Sequence, residues 1–275
     1  MRLSWKSIVL YSSLIIGSLV SIYPLFYMLM TSLKPMTVLF EFPPKLFPTE
    51  PTLNNYKEAW TSANFSRYLG NSVFVTLMSF LVLFLFSSML AFAYSRFSFF
   101  GKKVSFGILI GSLSIPSLTL VIPQYILVRD LGLFDSYWGL ITIYAAGAIP
   151  FTTFLLKGFF DSISREIDES VSIDGGGSGR LFFTIILPLS KPAFVPATIF
   201  NAMIIWEEFP WALTIINDPL KRTLPIALAN FQGQYTTQWG IVFAGSIIAM
   251  APIVLLFLML QRYFVAGITA GALKG

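Results

Sequence analysis

The stretch Glu169 to Pro188, ESVSIDGGGSGRLFFTIILP, decides how the rest of the chain is read. It is polar and broken by glycines, and it lies between two long apolar runs. Its Glu, Asp and Arg side chains belong in water, whereas the runs on either side belong in lipid. Such a segment, held by a membrane helix at each end, is a handle on a membrane-embedded body.

Composition points the same way. Of the 275 residues, 56% are hydrophobic and 11% charged, where a soluble domain carries about a quarter charged residues. The apolar residues come in blocks, which indicates a polytopic membrane protein. The chain has no Cys and no His. That excludes disulfides, thiolate and imidazole metal sites, and Ser-His-Asp or Cys-His nucleophiles. The net charge of +5 is spread over short loops. It reads as topology information and not as affinity for nucleic acid.

Six apolar runs, residues 8–30, 71–94, 104–128, 137–156, 192–216 and 241–260, are each near the ~20 residues that cross a ~30 Å hydrocarbon core as helix. The first is too long for the apolar core of a signal peptide and no small-residue cleavage site follows, so it reads as a retained helix. Ten-residue alternation is missing, which argues against a barrel. The expectation is an all-α membrane protein of six transmembrane helices. Residues 34–67 form a proline-rich connection in which residues 53–60 can make a short surface helix. Pro116, Pro123, Pro150, Pro196, Pro210 and Pro252 fall within or at the ends of spans. They are either ordinary membrane-helix prolines or kinks around a central pathway.

Lys and Arg set the orientation. Arg2, Lys6, Arg96, Lys102, Lys103, Lys157, Arg165, Arg180, Lys191, Arg262 and Lys274 fall on one side. Arg129, Lys221 and Arg222 occupy short loops on the other. The bias places both termini and the Glu169 loop in the cytoplasm, with the chain multi-pass in the cell membrane. Lys102 and Lys103 read as topology determinants. Arg129, Asp130 and Asp135 read as a solvated or docking surface, and the Phe-rich run from Phe80 to Phe100 as packing.

Within the polar stretch, residues 164–172 read as a short helix. Ser164 can cap it, and Glu166 and Asp168 fall in its first turn, where the dipole favours negative charge. Ile163, Ile167 and Val171 recur every four residues and make one apolar stripe that needs a partner. Asp174 and Gly175 end the helix, and a second helical piece over about residues 179–186 leads back to the membrane. The glycines do not make a phosphate loop. Arg180 stands where a Walker A and a dinucleotide fingerprint each need glycine, and no strand precedes the run. This chain carries no visible nucleotide site, so its energy source lies elsewhere.

Glu169, Gly175, Ile185, Leu187 and Pro188 match the spacing E-A-A-x3-G-x9-I-x-L-P. Trp206-Glu207-Glu208-Phe209, Thr223-Leu224-Pro225, Trp239-Gly240 and Gln261-Arg262-Tyr263-Phe264-Val265 follow in order, and the chain ends in Gly267 to Gly275. In these motifs the chain resembles the permease subunits of binding-protein-dependent ABC importers, the MalG-like carbohydrate type within the MetI-like superfamily. The resemblance implies a type I importer transmembrane domain, with residues 1–70 as an N-terminal helix and loop, 71–262 as the importer domain and 263–275 as a cytoplasmic tail. It implies a coupling helix in which Glu169, Ser170, Val171, Asp174, Gly175, Ile185, Leu187 and Pro188 engage a cytoplasmic ATPase. Thr269, Gly271 and Lys274 of the tail would reach into the ATPase dimer. ATP and Mg would sit on that partner, with no cofactor on this chain. A second permease subunit and an extracytoplasmic solute-binding protein complete the expected assembly. Ser170-Val171 replaces the usual Ala-Ala, which alters the packed face. Three glycines follow Asp174 where Gly-Ala is usual, which should loosen the turn.

Glu207 and Glu208 are the only acids inside an expected span. A charge at mid-membrane costs about 2.5 kcal/mol or more. Either they hydrogen-bond between helices or mark a break beside Pro210, or they contact hydroxyls of a polar solute with Trp206, and Trp211 can stack on a sugar or anchor at the interface. The function expected is a permease importing a sugar or related carbohydrate. A polyol or glycerol phosphate is an alternative solute. An ion-coupled transporter or channel would need more ionisable residues in its spans, and a membrane enzyme more acid-base groups.

Overall fold

The computed structural model describes residues 5–35, 45–61, 64–231 and 237–272, with side chains through Gln261. The helices in chain order are α1 (Trp5–Ser32), α2 (Asn54–Thr61), α3 (Phe65–Arg96), α4 (Lys102–Gly111), α5 (Val121–Asp130), α6 (Tyr137–Asp161), α7 (Glu166–Ile173), α8 (Ser178–Arg180), α9 (Leu187–Leu189), α10 (Lys191–Trp206), α11 (Pro210–Ile215), α12 (Leu224–Asn230) and α13 (Trp239–Ala272). They form two compact units. One holds Met1–Arg67 and Ile226–Ala251, the other Tyr68–Pro225 and Pro252–Gly275.

Four helices, α1, α3, α6 and the Trp239–Gln261 part of α13, are long and apolar enough to cross a membrane unaided. Two more candidates are bent pairs. Lys102–Ser114 and Ser117–Asp130 meet at 100°, and Ser178–Leu189 and Lys191–Trp206 at 70°. The expected spans over 104–128 and 192–216 are therefore not single helices. At the first bend Ile115 is extended (φ −84°, ψ 120°), as a residue before proline prefers, and Pro116 carries no N–H to continue the ladder. The 70° bend lies at Ser190, just before the expected span over 192–216, and that span is itself broken between Trp206, where α10 ends, and Pro210, which opens α11.

In the first unit α1 is apolar all round. Only Thr31 and Ser32 are buried, as suits a helix surrounded by lipid. Asn55 of α2 is buried and donates from Nδ2 to the Ser32 and Lys34 carbonyls, both at 2.8 Å. This satisfies the backbone oxygens where α1 ends. The start of α13 packs onto the same Asn55. A Cβ on Gly240 would stand 2.7 Å from the Asn55 amide, so glycine is what lets the two approach. Helix α2 is therefore docked through Asn55 and Ala59 and does not lie loose at a surface.

In the second unit α3 buries one stripe of mostly small residues: Ser72, Thr76, Ser79, Leu83, Ser87, Ala91 and Ser95. Spacings of three and four keep them on one face, and small side chains permit close helix packing in a membrane. Helices α6 and α10 pack together, and buried Asn201 donates to Thr152 Oγ1 at 3.0 Å and to its own Ala197 carbonyl at 2.7 Å. At the other end Asp135 takes φ 54° and accepts the Asn217 and Asp218 N–H groups at 3.0 Å, with Lys221 at 3.4 Å. Burial pushes the Asp135 carboxyl up, but those N–H groups and Lys221 outweigh it and hold it below the usual carboxylate range. Asp135, part-exposed, is thus also a folding contact, whereas Arg129 and Asp130 pair with each other in the open.

Gly139, in the first turn of α6, allows the turn after α5 to close. A Cβ there would meet the Leu133 carbonyl oxygen at 2.5 Å and Val128 Cγ1 at 3.1 Å. Gly147 on the same helix has open space around its Cβ position. Gly139→Ala should destabilise the protein by about 1–3 kcal/mol, and Gly147→Ala should cost nothing, since Ala is the better helix former. Paired thermal unfolding in detergent checks this, and equal Tm values for the two variants would contradict it.

Candidate functional site

The polar stretch folds into a knob. The Ser164 hydroxyl accepts the Glu166 N–H at 3.3 Å, and Glu166, Asp168 and Glu169 occupy the first turn of α7. At the other end the Gly175 N–H bonds the Ser172 carbonyl and the Gly176 N–H the Val171 carbonyl. Gly175 has φ 71°, a conformation that costs side-chain-bearing residues about 1–2 kcal/mol. Gly176 is needed for a different reason, because a Cβ there would stand 2.7 Å from Val171 Cγ1. Two of the three glycines are thus demanded by a tight turn. The run does not loosen it.

The apolar stripe finds its partner within the chain. Val171 is buried, and Ile163 and Ile167 pack onto the same core, formed by Ala91, Phe92, Leu156, Phe160, Leu181, Phe182, Ile186 and Ala193. Ile185 and Leu187 join its edge. Residues 181–186 are a π-helix. Pro188 lacks the N–H that would bond the Thr184 carbonyl, and the turns before it widen. Of the expected coupling residues, Val171, Ile185 and Leu187 therefore face inward. Glu169, Ser170, Asp174 and Gly175 are exposed, as is Pro188. The Ser170-Val171 departure touches the packed face only through Val171. Ile173, which sequence reasoning passed over, is the most prominent outward residue, 86% exposed and four residues after Glu169 on the same face.

Arg96 was also missed. It reads in sequence as a topology charge, yet its side chain is 4% exposed and stands 2.9 Å from Asp168 of α7. An Arg at the end of a long apolar helix, with acids on the polar helix that follows the next span, is the only signal the sequence offers.

The second candidate region lies at the α10–α11 break. Glu208 accepts the Tyr144 hydroxyl at 2.5 Å, the Trp211 N–H at 2.8 Å and the Ala212 N–H at 3.1 Å. Trp211 Nε1 in turn donates to Gln124 Oε1 at 2.5 Å. Glu208 is thus the cap of α11, and the void it shares with Ser72, Thr76, Tyr144 and Trp206 is too small for a water molecule. Trp206 is buried there. Glu207, in the non-helical link beside it, is exposed. Thr269 and Gly271 lie on the last turns of α13 with side chains outside the described residues, and Lys274 lies outside them entirely.

Comparison with known proteins gives the family. Residues 83–270 match the family described as binding-protein-dependent transport system inner membrane component. The chain belongs to this family. It is 39% identical over 253 residues to the probable ABC transporter permease protein YurM of Bacillus subtilis, covering 92% of this chain and 84% of that protein. It is 36% identical to the melibiose/raffinose/stachyose import permease protein MelC of the same organism, covering 92% and 91%. A crystal structure of a bacterial ABC transporter involved in import of the acidic polysaccharide alginate contains a chain with the same fold, with TM-score 0.84, 22% identity and coverage of 94% and 96%. The protein is an ABC transporter permease, a transport subunit and not an enzyme, with the importer transmembrane fold. The secondary-transporter and membrane-enzyme readings fall away.

In this permease Glu207 and Glu208 have separable roles. Glu208→Ala leaves two backbone N–H groups and the Tyr144 hydroxyl without their acceptor and should cost about 1–3 kcal/mol. Glu207→Ala removes an exposed group and should stay within about 0.5 kcal/mol of the parent. Thermal unfolding in detergent separates them, and an equal loss in both would refute the cap.

Proposed function

We propose that this permease imports a carbohydrate, driven by a separate ATPase that grips the outer face of α7. The observation that carries the reading is the division of α7 into two faces. One face is fixed into the membrane body through Ile163, Ile167 and Val171. The other presents Glu169, Ile173 and the Gly175 turn, all exposed. A helix rigid on one side and exposed on the other transmits a push.

The family supports dependence on a solute-binding protein, and the Lys and Arg bias supports a cytoplasmic position for α7 and both termini. The ATPase dimer would carry ATP and Mg, and a second permease subunit would complete the membrane part. The thermodynamic requirement is that the partners contact this chain differently in two states, so that nucleotide-driven closure shifts it between inward-open and outward-open forms. The tail with Thr269, Gly271 and Lys274 would add a second ATPase contact. Carbohydrate is supported by relatives named for melibiose, raffinose and stachyose and, at 35% identity, for galactooligosaccharides. At the α10–α11 break the exposed Glu207 carboxylate would meet solute hydroxyls. Trp206 and Glu208 shape the wall behind it.

Three substitutions test the docking face. Burying Ile173 against a partner is worth about 1.5–3 kcal/mol, so Ile173→Ser should weaken ATPase capture roughly tenfold or more. Gly175→Val and Glu169→Lys should abolish melibiose and raffinose uptake while leaving the chain in the membrane at parental levels. Detergent pull-down with identification of bound chains gives the first readout and labelled-sugar uptake the second. Undiminished capture and uptake in all three variants would remove the coupling role of α7.

A further inference from the structure

We infer that Arg96 is the positioning residue that makes α3 follow α7, an inference resting on the coupling role of α7 proposed above. Helices α6 and α7 are joined covalently through residues 162–165. Helix α3 has no such link to the knob, and its attachment is entirely non-covalent. Part of it is apolar, with Phe92 packed on Phe182 at 5.0 Å between ring centroids. Apolar contact is non-directional and lets surfaces slide. The directional part converges on Arg96, the last residue of α3.

Arg96 Nη2 donates to the Ile163 carbonyl at 3.1 Å, and Nη1 to Ser95 Oγ at 3.3 Å. Nε stands 2.9 Å from Asp168 Oδ2 of α7. The neighbouring Ser95 completes the lock. Its hydroxyl donates to Asp161 Oδ1 at 2.7 Å, and its carbonyl accepts Arg165 Nη2 at 3.1 Å. One guanidinium therefore joins the end of α3 to the α6–α7 turn by a hydrogen bond and to α7 by an ion pair, using separate nitrogens of a planar fork that an ammonium lacks.

The arrangement is poorly suited to stability alone. Arg96 is buried, its Nε makes no aligned hydrogen bond despite the short distance, and Asp168 Oδ1 is buried without a partner. Burying such a pair costs solvation that its attraction does not reliably return. What it supplies is register between two helices.

The test uses the assembled transporter in lipid, with the ATPase, second permease and binding protein present. The chain has no native cysteine, so nitroxides attach to it only where cysteine is introduced, and it is labelled before assembly with its partners. The probes sit at Leu81→Cys on α3 and Phe154→Cys on α6, 61% and 55% exposed. Their distance is measured with and without MgATP plus orthovanadate. In the parent the distance should not change with nucleotide, because α3 follows. In Arg96→Lys and in Asp168→Asn it should match the parent without nucleotide, then shift or broaden on MgATP and orthovanadate, with ATPase capture retained. A parental distance that changes with nucleotide overturns the inference, as do variants that stay fixed. Variants already altered without nucleotide also overturn it, since that marks a merely structural role. Failure of the parent itself to capture the ATPase would instead strike at the coupling role of α7.

Discussion

Burial of Ile163, Ile167 and Val171 against Phe160, Phe182 and Ile186 is the contact on which the rest of the molecule depends. A water-exposed loop of some 20 residues between two membrane helices would ordinarily be mobile. Here its apolar stripe reaches back into the core shared by the ends of α3, α6 and α10. The loop becomes an extension of the membrane body. The tight turn at Gly175 and Gly176 follows from this, because the chain must reverse directly over Val171. So does the π-helix at 181–186, which brings the chain back at the angle α10 requires.

The stripe was legible in sequence because its period is local: three aliphatic residues at spacing four mark one helix face wherever the helix docks. The glycine turn was legible in outline for the same reason. The span boundaries were legible for α1, α3 and α6, whose apolar runs are uninterrupted. The bends at Pro116 and after Trp206 were not. Proline is tolerated inside α1, α6, α10 and α13, at Pro24, Pro150, Pro196 and Pro252. A proline therefore marks a possible break without deciding it. What decides is whether something else satisfies the freed backbone groups, and at Pro210 that is Glu208, supported by Tyr144 from a helix more than sixty residues away in sequence.

Arg96, Asn55 and Asp135 illustrate the other limit. Each looks like an ordinary polar residue outside the apolar runs, and in sequence Arg96 reads as a label of sidedness and Asp135 as surface. Each in fact carries hydrogen bonds to distant segments: Asn55 to Ser32 and Lys34, Asp135 to Asn217 and Asp218, Arg96 to Ile163. A polar group is recognised as a structural bolt only when its partners are known, and those partners lie 21 to 83 residues away. Sequence periodicity reports faces. It does not report which faces meet.

The two acids at the α10–α11 break show how one constraint sets two neighbouring residues differently. A helix broken in apolar surroundings must find acceptors for the first N–H groups of its next segment. Glu208 supplies them for Trp211 and Ala212 and so is not free to bind anything else. That same break leaves the Glu207 carboxylate exposed. An ionised group cannot rest against hydrocarbon at low cost. The side of α10 that bears Phe200, Met203, Ile204 and Glu207, all exposed at helical spacing, must therefore meet water or protein and not lipid tails alone. The cap that stabilises α11 thus also leaves the neighbouring carboxylate exposed at the break.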